Sequence, residues 1–256
     1  MSLVITEDRD AVRHVVLNRP EKRNAMNQAL LTELAGALRA AGDDPAVHCV
    51  VLRGEGPVFS AGVDLGELAA FAGDPSVLRP FRNVFLDCAN LCEAIPKPVI
   101  CQVHHTCVGG ALEVALGCDL RVASQESRFG LPEVRFGIIP DVGGSSRLPA
   151  VVGLGRAKEM IMTGANIDAV EAYRIGLINR VAATQEELEA ATQTLVDELL
   201  ANSHIAVGRA KRVMDASARP ALAMTLEMEV SVQEYCVAMM REAAREAQEA
   251  EEAVAG

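Results

Sequence analysis

The chain has no tryptophan, two tyrosines and six phenylalanines. So few flat rings leave no platform on which bases could stack, and single-stranded nucleic acid is not an expected ligand. Positive charge is also scarce: 24 Lys and Arg stand against 35 Asp and Glu, a formal net charge of −11. A surface of that sign repels a phosphate backbone, which argues against nucleic-acid binding but leaves room for an anionic coenzyme held by a few cations and backbone amides. No apolar run is long enough to span a bilayer. The start, MSLVITEDRD, has no basic region ahead of an apolar core, so no signal peptide is expected. These absences lead to the expectation of a soluble, cytoplasmic protein with no membrane partner.

Seven cysteines are present, an odd number, scattered at Cys49, Cys88, Cys92, Cys101, Cys107, Cys118 and Cys236. Cys88 and Cys92 are one helical turn apart, yet no second pair accompanies them at zinc spacing. Most lie in apolar runs, as small buried hydrophobes do in a reducing compartment. No metal site is expected. With half of its 256 residues apolar, the chain can build one sizeable core, or a core with a small helical unit attached.

Leu3 to Ile5 and Val12 to Leu17 read as paired strands, Leu30, Leu31, Leu34 and Leu38 recur at helical spacing, and Val47 to Leu52 is again strand-like. This rhythm predicts an α/β fold. Helices are expected over Leu65–Phe71 and Val77–Ile95, where Phe71, Leu78, Phe81 and Phe85 read as core, and over one run from Arg147 through Gly153 to Thr163. Glycine and proline thin out after Thr184, so the division expected is a core over residues 1–190 and a helical C-terminal subdomain over 191–256.

The most informative stretch is Val108 to Gly144, VGGALEVALGCDLRVASQESRFGLPEVRFGIIPDVGG. Carboxylates are mostly exposed unless something pairs with them. Here Glu113, Glu133 and Asp141 sit among apolar residues or beside glycine pairs, as acids held in a cleft would. A glycine at a helix start lets unpaired first-turn amides approach a ligand, and such a terminus favours a negative oxygen. If Gly110 begins a helix, Glu113 lies about one turn further in. An oxyanion donor beside a proton-carrying carboxylate is a minimal enolate-forming site. Val108-Gly109-Gly110-Ala111-Leu112-Glu113 lacks the Gly-x-Gly-x-x-Gly spacing of a dinucleotide loop. No Gly-x-Ser-x-Gly elbow offers a hydrolase nucleophile.

These residues resemble the enoyl-CoA hydratase/isomerase (crotonase) superfamily. Asn18-Arg19-Pro20 with Asn24-Ala25-Met26, Phe59-Ser60-Ala61-Gly62-Val63-Asp64-Leu65, Lys97-Pro98-Val99-Ile100, the glycine segment, and Pro132-Glu133 through Gly143-Gly144 follow in order over roughly residues 10 to 180. The resemblance implies a crotonase-like core of repeated ββα units. It implies that the amides of Val63 and Gly110 form an oxyanion hole for a thioester carbonyl, with Glu113, Glu133 and Asp141 as catalytic acids. Arg23, Ala25, Ser60, Ala61, Asp64 and Leu65 would contact substrate and coenzyme A. Coenzyme A belongs to the substrate, so no separate cofactor is implied. Val63 stands where family members often have alanine.

The activity implied is enoyl-CoA hydration. Asp141 coincides with an acid of dienoyl-CoA isomerases, which makes double-bond migration through Glu133 and Asp141 the alternative, dienoyl or simple enoyl. A non-catalytic or RNA-binding relative is a further alternative, which the acidic balance disfavours. His104 and His105 depart from the family's usual Asn-Gly. Adjacent strand residues point to opposite faces, so they cannot easily share a metal, and structural or subunit-contact roles are expected. The C-terminal helices would pack between subunits of a homotrimer or dimer of trimers, and Ala210-Lys211 resembles a segment that can reach the coenzyme.

Overall fold

A computed structural model describes residues 2–255, without the side chains at positions 71, 72, 75 and 253–255. The core role expected of the Phe71 side chain therefore lies outside the described residues. Strand β1 (Val4–Arg9) turns back on β2 (Val12–Leu17) as an antiparallel pair, with Asp10 in the left-handed region at the turn. Helix α1 (Gln28–Asp43) begins where the Asn27 side chain accepts the Leu30 amide at 3.0 Å. Such a cap satisfies one of the donors a helix start leaves open. Leu30, Leu31, Leu34 and Leu38 form its buried stripe. β3 (Cys49–Gly54) follows, then α2 (Leu65–Gly73), α3 (Leu78–Ala94), β4 (Val99–Val103), β5 (Thr106–Val108) and α4 (Gly110–Gly117).

The second half continues through β6 (Leu120–Ser124), β7 (Arg128–Gly130), α5 (Gly144–Val152), α6 (Leu154–Thr163), β8 (Ile167–Asp168), α7 (Ala169–Arg174) and β9 (Arg180–Ala182). The expected single run from Arg147 to Thr163 is two helices, because Gly153 between them has φ +81°. The main sheet has six strands in the order β1-β2-β3-β4-β6-β9, parallel after the first pair, and β5-β7-β8 form a second small sheet. Covered on both faces, β3 and β4 read as near-continuous apolar runs rather than alternating ones. α1, α3 and α4 pack successively on one another.

Helices α8 (Gln185–Leu200), α9 (His204–Ala218) and α10 (Leu222–Ala255) complete the chain. The boundary expected at residue 190 falls inside α8. Leu188, Leu195 and Val196 of that helix pack on Val12, Cys49, Val51, Ile100 and Val122. α8 therefore packs on the sheet. α9 is fastened by Lys211, whose ammonium donates to the Lys97 carbonyl (3.0 Å) and pairs with Asp119 (2.8 Å) beneath the surface. α10 folds back over α2 and α5 of its own chain. Among the described residues, no helix is long and apolar enough to cross a membrane.

Candidate active site

Two loops are laced together to begin the site. Asn24 is fully buried, and its amide donates to the carbonyls of Glu55, Val58 and Phe59 at 2.8–3.0 Å while its oxygen accepts the Arg19 amide. This clamp explains the polar residue within an otherwise apolar interior: every hydrogen-bonding group it buries is used. Phe59 and Ser60 then donate backbone bonds to His104 and Thr106, so the loop before α2 runs beside β5. At Gly62, φ is +89°, and a Cβ there would stand 2.5 Å from the Val108 carbonyl and 3.5 Å from the Gly110 nitrogen. Only glycine permits this approach. It brings Val63 alongside Gly110, and neither of their amides donates a hydrogen bond among the described residues.

Helix α4 starts at Gly110 and all eight of its residues are buried. A Cβ on Gly110 would lie 2.2 Å from Phe85 Cζ, so the helix start is seated directly against that ring. One turn in, Glu113 Oε1 accepts the amides of Val142 (2.9 Å) and Gly144 (2.8 Å). Glu133 opens a short 3-10 turn (Glu133–Phe136) after β7, and a Cβ on Gly109 would be only 3.0 Å from its Oε1. Glu133 Oε2 and Asp141 Oδ2 are sealed from solvent without a hydrogen-bond partner. Val63, Gly110, Glu113, Glu133 and Asp141 all line one cavity, walled by Phe81, Phe85, Leu68, Leu78, Ile138 and Val142.

The electrostatics follow from that burial. Desolvation, reinforced by the charges of Glu133, Asp141 and Glu229, holds the Glu113 carboxyl well above the usual carboxylate range. Burial pushes Glu133 up to about 7, with Asp141 adding to the shift. Asp141 likewise rises to about 7 through burial, opposed by the Arg82 guanidinium and raised further by Glu229. Closely spaced carboxyls of this kind titrate as a set. Glu133 and Asp141 are poised near neutrality, where one group can both give and take a proton.

Arg82 and Gln233 are the polar lining residues that sequence reasoning missed, beside the apolar Leu68, Ile138, Ile139 and Val142. Arg82 of α3 is 3% exposed; its Nε donates to the Asp141 carbonyl at 2.7 Å, and its Nη2 to the Leu226 carbonyl at 2.7 Å. The same guanidinium is 3.6 Å from Asp141 Oδ2. Gln233 of α10 accepts the Ile139 amide at 2.9 Å. Neither has a local signature: both look like polar positions on ordinary amphipathic helices until tertiary packing brings them to the cavity.

The residues expected to touch substrate and coenzyme are not gathered around this cavity. Ser60 is buried and uses its hydroxyl as a brace, donating to Asn24 O (2.7 Å) and accepting from Gly62 N (3.2 Å). Asp64 pairs with Arg19 and caps α2 through the Gly66 amide. Ala25 supplies a carbonyl to Arg19, and Arg23, at φ +53°, supplies one to Ala61. Leu65 is 72% exposed and lines a neighbouring apolar groove with Leu68, Phe136, Ile138, Val237 and Met240. Lys211 is committed to Asp119 and two carbonyls and is not free to meet a coenzyme. His104 donates from Nε2 to the Gly56 carbonyl (2.9 Å), and His105 sits in the left-handed region beside Thr106 Oγ1. The pair lies in a bend rather than a strand, and neither ring lines the cavity. Among the described residues no His, Cys, Asp and Glu cluster has the geometry for a metal ion.

Residues 7–251 match the enoyl-CoA hydratase/isomerase family. The chain belongs to that family. It is 36% identical over 233 residues to a crotonyl-CoA hydratase of Syntrophomonas wolfei, covering 90% of this chain and 86% of the relative. A short-chain-enoyl-CoA hydratase of Clostridium acetobutylicum is 37% identical over 213 residues, 83% and 80% of the two chains. The solved enoyl-CoA hydratase of Bacillus halodurans superposes with a TM-score of 0.88 at 26% identity, covering 94% of this chain and 97% of that one. The family's fold is thus the fold described above, and members of this family act on acyl-CoA thioesters.

Proposed function

We propose that this chain is an enoyl-CoA hydratase. The observation that carries the reading is the pair of unpaired amides, Val63 and Gly110, on the wall of the cavity that also holds Glu113 and Glu133. A thioester carbonyl accepting from both amides would have its developing negative charge stabilised as water adds to the β-carbon. The two glutamates hold the water between them. Hydroxide equivalent goes to the β-carbon and the proton to the α-carbon, with Glu113 serving the water and Glu133 the α-carbon side. Glu113 is aimed for this, because its Oε1 is pinned by two amides and its Oε2 is left for the water. Relatives carrying the hydratase name support the same reading.

One observation favours a second reading, double-bond isomerisation. Asp141 Oδ2 is an unpartnered buried oxygen in the same cavity, and its carboxyl is raised to about 7, as that of Glu133 is. Two matched carboxyls can take a proton from one carbon and return it to another. Hydration of crotonyl-CoA, measured beside migration on a 3,5-dienoyl-CoA, separates the two. The proposal expects hydration that falls by about 10²–10⁴ in Glu133→Gln. Migration without hydration, abolished by Asp141→Asn, would replace it with the isomerase reading.

We further propose a homotrimer, or a dimer of such trimers. Support comes from the exposed Met224, Met228, Val232 and Tyr235 of α10, a wider apolar face than isolated surface residues explain. A monomer in analytical ultracentrifugation would exclude it.

A further inference from the structure

Four amides at the start of α5 meet two carboxylates that arrive from opposite directions. Val142 N and Gly144 N donate to Glu113 Oε1 (2.9 and 2.8 Å), whereas Gly143 N and Ser146 N donate to Glu229 Oε2 and Oε1 (2.9 and 2.6 Å). The cap residue of α5 is Gly143, at φ +107°, which has no side chain to accept anything. A Cβ at that position would collide with Arg147 Nη1 at 1.7 Å, so the local sequence cannot supply the usual Ser, Asp or Asn cap. Glu229, 86 residues away on α10, does so instead. Its carboxylate is 4% exposed.

We propose that Glu229 is a positioning residue for proton transfer: through Gly143 and Ser146 it fixes the turn whose alternate amides orient Glu113 and whose first residue is Asp141. The assignment rests on the hydratase reading. A helix cap alone does not require a buried charge at this place. Charge-assisted bonds from two first-turn amides hold the turn more firmly than neutral ones, but a third and fourth acid already stand close by. The charged groups facing Glu229 are Arg82 from α3 (3.9 Å), Asp141 and Glu113; Glu234, one turn along α10, is occupied by Arg79. Arg82 bridges the arrangement, touching the Asp141 carbonyl and carboxyl as well as Glu229. Burial raises the Glu229 carboxyl above its ordinary value, opposed by the Ser146 and Gly143 bonds and by Arg82; once ionised, it has two effects at once. It holds Glu113 in register through the turn, and it keeps the Asp141 and Glu113 carboxyls protonated to higher pH.

Glu229→Gln keeps the volume but loses the charge, and its amide NH2 faces a backbone N–H. Glu229→Asp keeps the charge but falls one methylene short. For both variants kcat and KM on crotonyl-CoA are measured beside the carboxyl titration of the unliganded protein, followed by 13C NMR. Expected in Glu229→Gln are a 10- to 100-fold loss of kcat, KM within threefold, and an Asp141 midpoint shifted to lower pH. In Glu229→Asp, kcat falls while the midpoint stays close to that of the parent. A Glu229→Gln protein with the parent's kcat and midpoint overturns the proposal. So does a loss of kcat matched by the loss of folded protein, with unshifted midpoints in the folded fraction. If the parent chain does not hydrate crotonyl-CoA, the hydratase reading fails, and the Asp141 midpoint still decides whether Glu229 acts on the carboxyl set.

Discussion

Replacing Gly110 with alanine tests the oxyanion hole with a single carbon atom. The added Cβ would lie 2.2 and 2.3 Å from two ring atoms of Phe85, against an ordinary carbon contact of about 3.5–4.0 Å. Either the ring or the start of α4 must move by more than about 1 Å. The three nearest atoms to that Cβ all belong to Phe85, which is itself buried. The helix start therefore yields at least in part, carrying the Gly110 amide off its line. Misplacement on this scale typically costs about 10²-fold, and full loss of one donor about 2.7–4 kcal/mol, or roughly 10²–10³ in kcat. The assay is loss of the conjugated enoyl-thioester absorbance on hydration, with folding checked by circular dichroism. Shortening the ring in Gly110→Ala/Phe85→Leu should recover most of the lost rate. A single variant within threefold of the parent would refute the role of this amide. A double variant no faster than the single would refute the ring as the cause.

The remaining predictions concern charge. Asp141 has a midpoint near 7 in the folded protein, against about 3.9 when unfolded. Its contribution to stability is therefore present below about pH 4 and is lost as pH rises through 7. Calorimetry should show Asp141→Asn losing less Tm than the parent between pH 5 and 8; equal slopes would contradict the raised midpoint. Lys211→Met leaves the Asp119 carboxyl, itself lifted to about 6 by burial, without its cation. Denaturant unfolding should report a loss of about 3–5 kcal/mol, and an unchanged midpoint concentration would show that the pair is dispensable. Asn24→Ala removes the clamp on the Val63 loop, so kcat should fall more than tenfold, and parent-like kinetics would show that the loop holds its shape without it.

The legible part of the site was the part written locally. Gly62, the Gly109-Gly110 pair and Gly143-Gly144 announce backbone that approaches something closely, and Glu113, Glu133 and Asp141 announce themselves as acids among apolar residues. The structure brings all three carboxyls and both amides to one cavity. What escaped was set by distance along the chain. Arg82 and Gln233 reach the cavity from α3 and α10, and nothing in the residues beside them distinguishes a guanidinium bound to carbonyls from one in solvent. That the expected boundary at 190 lies inside α8 has a related reason. Leu188, Leu195 and Val196 make an amphipathic stripe that says a face is buried without saying that the partner is the sheet. In the Phe59–Leu65 loop the side chains of Ser60 and Asp64 hold the loop itself, a use that their polarity alone does not announce.

The central claim is that Val63 and Gly110 hold a thioester oxygen above the acids. A crystal structure with a non-hydrolysable enoyl-CoA thioester analogue tests it most directly. The carbonyl oxygen is expected about 2.7–3.1 Å from both nitrogens, with a water or its stand-in between Glu113 and Glu133 and the α-carbon facing Glu133. A carbonyl bound away from either amide, with Glu133 turned from the α-carbon, would contradict it.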